Sequence, residues 1–85
     1  MNQFLKRMKC IEGLDSLYVI VSTLPNSTGG KWGFFHRVSD NTEVGQWTDT
    51  NFRSRPYGIA TTGEREEMSR FVNNRRANAA IKRSN

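Results

Sequence analysis

The chain has 85 residues, a net charge of +5 and a single cysteine, Cys10. That length holds one domain with one modest core, which argues against a two-walled substrate cleft, and one cysteine excludes an internal disulfide. Hydrophobic residues make up only 35% of the chain, but five Phe, two Trp and two Tyr supply the buried area of a folded domain with a polar surface.

In chain order, residues 3–12 read as a short helix, because Phe4, Leu5, Met8 and Ile11 recur at helical spacing and Gly13 stands ready to end it. Residues 17–24 form the clearest strand, apolar on both faces and therefore central. Pro25 through Gly30 is a turn cluster. A second strand follows over 31–38 and a third over 43–49, joined by Ser39-Asp40-Asn41-Thr42. Gly45 marks a bulge that brings Val44 and Trp47 toward one face. Residues 50–60 read as irregular chain with room for a short edge strand, and Arg55-Pro56-Tyr57-Gly58 fits a type I turn. Thr61-Thr62-Gly63-Glu64 is a capping box. A helix over 63–82 follows it, with Met68, Phe71, Val72 and Ala79 as its buried stripe.

The expected architecture is thus a single α+β domain over residues 1–85 in α-β-β-β-α order. An antiparallel three- to four-stranded meander packs with an N-terminal helix and a longer C-terminal one. Arg75 interrupts the apolar stripe of the last helix. A guanidinium there requires an internal acidic partner, an exit past the core, or an interface with another subunit, so a homo-oligomer is among the expectations.

The parts for side-chain catalysis are sparse. One His and one Cys do not make an ordinary zinc site, so neither a metal nor a cofactor is expected and the reading is non-enzymatic. Thr28-Gly29-Gly30-Lys31 is not a phosphate loop, since Pro25 stands where the Walker pattern needs Gly and Trp32 where it needs Ser or Thr. Leu17-Tyr18-Val19 and Trp32-Gly33-Phe34-Phe35 share residue types with the two signatures of the RNA-recognition motif. Only a turn separates them here, where that family has a helix and a further strand, and the chain is not assigned to it.

Three basic features point to a partner. Arg65, Arg76 and Arg83 fall on one line of the last helix, a row suited to a phosphate backbone, although cations near a helix C-terminus and the Glu66–Arg70 pair also serve the helix itself. Lys31, Phe35 and Arg37 alternate along one face of the second strand. They either present an aromatic flanked by cations to single-stranded nucleic acid or place Phe35 under a helix with the cations at its edges. Arg53, Arg55 and Tyr57 make a compact loop patch for phosphate or carboxylate contact and stacking, and this is the preferred contact site.

The leading functional expectation is a small basic binding protein that engages a phosphate-bearing partner, either nucleic acid or a nucleotide. One alternative is a protein-binding inhibitor or adaptor, in the style of viral anti-host-defence proteins, that docks on an acidic protein surface. Another is a metal-independent ribonuclease using His36, Arg37 and Glu43. No apolar run approaches the ~18–20 residues that span a membrane. The N-terminus lacks a signal-peptide core, and the expected compartment is the cytoplasm.

Overall fold

The computed structural model describes residues 5–9, 14–22 and 24–84, with side chains described for 14–22 and 24–80. Five strands run in the order β1 (Leu5–Lys9), β2 (Leu17–Ser22), β3 (Trp32–Arg37), β4 (Glu43–Thr48) and β5 (Arg53–Pro56), followed by one long helix, α1 (Thr62–Ser84). Each strand pairs antiparallel with its sequence neighbour, so the sheet is a simple meander, and it places β2, β3 and β4 in the middle. Among the described residues, no helix is long and apolar enough to cross a membrane.

The expected N-terminal helix over 3–12 is not found. Residues 5–9 are instead paired with β2, Leu5 opposite Ser22 and Lys9 opposite Tyr18, while the rest of that span lies outside the described residues. The physical reason is nonlocal: β2 would otherwise leave a row of backbone donors and acceptors unpaired along its outer edge. The expected room for an edge strand after residue 50 is taken up by β5. The turn expected at Arg55 begins at Tyr57, whose carbonyl accepts the Ala60 amide at 3.0 Å.

The turns follow their sequence chemistry. The Asn26 side-chain oxygen accepts the amides of Thr28 and Gly30, each at 3.0 Å, and Gly29 takes a φ of 89°. Between β3 and β4, Asn41 adopts a φ of 62°, and Asp40 accepts the Thr42 amide at 3.0 Å. In the β4–β5 turn Phe52 is also left-handed, at φ 54°. Its carbonyl accepts Arg76 Nη2 at 3.2 Å and its ring lies 5.7 Å beneath that guanidinium.

One face of the sheet is covered by α1. Leu17, Val19 and Val21 of β2, Phe35 of β3, and Val44 and Trp47 of β4 meet Met68, Phe71 and Val72 of the helix, and all are buried. Phe35 and Trp47 both pack edge-to-face on Phe71, with ring centroids 5.4 and 5.1 Å away. Burial of each aromatic contributes about 2–3 kcal/mol. The register shifts between Phe35 and His36, where β4 carries the extra residue Val44, so the bulge beside Gly45 turns both Val44 and Trp47 inward.

Three polar devices attach the helix. Thr61 Oγ1 accepts the Glu64 amide at 3.1 Å and Glu64 Oε1 accepts the Thr61 amide at 2.9 Å, completing the capping box. Glu64 also binds Arg37 of β3 through Nε at 2.7 Å and Nη2 at 3.1 Å. One turn on, the buried Glu67 accepts the amides of Asp15 and Ser16, which fixes the entry to β2.

Candidate binding face

Among the described residues, no helix lies over the face of the sheet turned away from α1. Strand alternation places Ile20 of β2, Trp32, Phe34 and His36 of β3, Gln46 and Thr48 of β4, and Arg53 and Arg55 of β5 on that side. The register sets them in rows: Ile20, Phe34, Gln46 and Arg55 in one, Trp32, Thr48 and Arg53 in the next. With strands ~4.8 Å apart, each arginine stands about 10 Å across the sheet from the aromatic of its row. Trp32 and Phe34 are half-exposed, and their rings meet edge-on at 5.5 Å with an interplanar angle of 83°.

A concavity of about 520 Å³ opens here, lined by Trp32, Gln46, Thr48, Asn51, Arg53 and Arg55 among others. Arg53 and Arg55 are exposed, and neither forms an ion pair among the described residues. The concavity therefore joins an aromatic surface, amide groups and two cations whose charge is not neutralised internally.

At the far end of the same face lies a second polar group. His36 Nε2 is 3.8 Å from Glu43 Oε1, and the Tyr57 hydroxyl donates to Glu43 Oε2. Burial first, and then the neighbouring Glu43 carboxylate, raise the Tyr57 hydroxyl above its ordinary value, so Tyr57 stays protonated as a donor. The His36 ring also packs on Tyr18 at 5.5 Å.

The structure separates the basic residues that the sequence groups. Phe35 is fully buried beneath α1, the second of its two expected readings, which removes it from the candidate contact residues. On the same face, Arg37 is drawn to the edge of the core. Its guanidinium is held strongly protonated, first by the hydrogen bonds it donates to Glu64, with Asp40 accepting a further contact at 3.3 Å. Arg37 is therefore a clamp between β3 and α1, and it is removed both from the binding patch and from the proposed His36–Glu43 trio. Lys31 is exposed at the start of β3, where its amide donates to Asp49 at 2.6 Å.

On α1, Arg65 donates to the carbonyls of Tyr57 and Ala60 at 3.0 and 3.3 Å, and Arg76 to that of Phe52. Both guanidinium groups thus close backbone corners around β5, and the Arg83 side chain lies outside the described residues. Arg75 resolves by the internal route: Nη2 meets Asp49 at 3.0 Å while the guanidinium lies 4.9 Å over Trp47. Trp32, Phe34, Gln46 and Asn51 belong to this candidate face and were not singled out as contacts by sequence reasoning. The signal was present in the alternation of 32–36, which carries aromatics on both faces without saying which one the helix covers.

Comparison with protein-family models, with curated proteins and with solved structures returned no match, so the functional reading rests on these residues alone.

Proposed function

We propose that the chain is a non-enzymatic binding domain that engages a phosphate-bearing partner, nucleic acid or a nucleotide, on the face of its sheet turned away from α1. The observation that carries this reading is a concavity lined by half-exposed Trp32, whose ring meets Phe34, and by Arg53 and Arg55, two exposed arginines with no carboxylate partner among the described residues. Guanidinium groups suit phosphate, and aromatic rings suit the bases attached to it. The net charge of +5 adds long-range attraction for a polyanion. Relative to the sequence expectation, the arginine pair is retained, and Trp32 and Phe34 take the stacking part expected of Tyr57 in the same patch and of Phe35 on β3.

The test is the affinity for a fluorescently labelled oligonucleotide across salt concentrations. Each phosphate contact contributes ~0.7 to the slope of log affinity against log salt for a single strand, so Arg53→Ala with Arg55→Ala flattens it by about 1.4. Affinity indifferent to both salt and the double substitution would sink the proposal. A stoichiometric protein partner retained after nuclease treatment would instead assign the arginines to an acidic protein surface.

A second reading is carried by the 3.8 Å approach of His36 to Glu43 on the same face as Arg55. A base and an acid beside a phosphate-binding arginine are the parts of a metal-independent ribonuclease. Turnover of RNA that His36→Ala abolishes would replace the binding-only reading with this one.

A further inference from the structure

We propose that the partner is single-stranded and that one unpaired base stacks on Trp32 within the concavity, its edge met by the amides of Gln46 and Asn51. This rests on the phosphate-binding reading of the same face and goes further by naming the nucleic-acid form and the group that selects it.

Four observations converge on it. Trp32 is half-exposed and its orientation is fixed by the edge of Phe34, which makes it a rigid stacking surface; Trp47, the other tryptophan, is buried with 3% of its surface exposed. The concavity of about 520 Å³ falls within the ~300–1,000 Å³ of small-ligand sites. Gln46 and Asn51 line it as exposed residues; the Gln46 amide also contacts the Tyr57 hydroxyl, while Asn51 presents a donor and an acceptor side by side, the pattern that pairs with the edge of a base. The third amide on the wall, Asn26, is committed to the turn, donating to Thr48 and Thr50 at 3.2 and 2.7 Å and accepting from Thr28 and Gly30.

The form of the nucleic acid follows from stacking. In a duplex the base faces are occupied by neighbouring bases and only the edges are accessible in the grooves. An aromatic on a sheet surface gains contact only with a base already unstacked, and sequence-tolerant single-strand binders combine such rings with a cationic track. Arg53 and Arg55, two residues apart on one strand and on one face, supply that track beside Trp32 and Phe34.

The experiment follows intrinsic tryptophan fluorescence of the full chain during titration with three probes: a single-stranded ten-nucleotide oligomer, a duplex containing the same sequence, and inorganic polyphosphate. The single strand is expected to quench the emission and to bind at least tenfold more tightly than the other two. In a parallel anisotropy assay Trp32→Ala should weaken single-strand binding about tenfold, and Trp32→Phe, which keeps an aromatic face, should recover most of it. Equal affinity for all three probes with no effect of Trp32→Ala overturns the base seat and leaves the phosphate reading standing. Failure of all three probes to bind overturns both.

Discussion

Gly33 and Gly45 stand where the layers come closest, and they differ in what a side chain there would strike. A Cβ at Gly33 would lie 1.9 Å from the Ile20 carbonyl oxygen of the neighbouring strand and 2.9 Å from Trp47 Nε1. At Gly45 the nearest atom is Met68 Sδ at 2.7 Å, at the flexible end of a thioether, with the Arg55 carbonyl oxygen next at 3.0 Å. Backbone cannot yield as a methionine can. Gly33→Ala is therefore expected to cost about 3 kcal/mol or more, and Gly45→Ala about 1 kcal/mol, in urea unfolding. Equal losses would show that the β2–β3 spacing is softer than the geometry indicates. Arg75 belongs to this scale too. The sequence demands a partner for it, and the structure supplies Asp49, 26 positions away in the turn between β4 and β5, a choice no local pattern encodes.

At the scale of elements, α1 is held to the sheet most firmly at its start, where Glu64 serves two purposes. It completes the capping box and binds Arg37, and the hydrogen bonds from Arg37, ahead of those from Thr61, hold its carboxyl below the ordinary value of 4.5. A carboxylate depressed in the folded state contributes stability that is complete above its ordinary value and is lost as pH falls through the folded one. Stability should accordingly decline on acidification below about pH 4.5. Glu64→Gln should be less stable at pH 7 and show a shallower acid limb. Thr61→Ala should cost about 1 kcal/mol, leaving the acid limb in place. Urea denaturation of the three proteins between pH 7 and pH 3 checks this, and identical acid limbs for all three would contradict it.

The same element scale shows what the sequence could reveal. The capping box, the β2 strand and the bulge at Gly45 are local patterns, and the structure reproduces them. The identity of residues 5–9 was not legible, because four apolar residues at helical spacing are a short signal and pairing with β2 is a long-range event. Nor could alternation alone tell which face of 32–37 lies under the helix, since Phe34 and Phe35 are chemically alike and point opposite ways.

For the whole molecule, the described residues form a meander with one long helix, which covers one face of the sheet and leaves the other open along β3, β4 and β5. The covered face takes the aliphatic side chains of β2 with Phe35 and Trp47, and Arg37 and Arg75 find carboxylates at its margins. The open face keeps Trp32, Phe34, Arg53 and Arg55, so two exposed cations share a face with half-exposed aromatics, whereas Arg65 and Arg76 on α1 are turned onto backbone carbonyls. The sequence located Arg53 and Arg55 correctly as neighbours but read them as a loop. The structure makes them successive outward residues of an edge strand, where their spacing is fixed by the pleat.

The central claim is that this open face is the binding surface, and an amide-resolved NMR titration of the labelled chain with a single-stranded oligonucleotide tests it most directly. The account predicts that the shifts concentrate on Trp32, Phe34, Gln46, Asn51, Arg53 and Arg55, with the indole resonance of Trp32 among those that move. Shifts confined to α1 around Arg65 and Arg76, or dispersed over both faces, would contradict it.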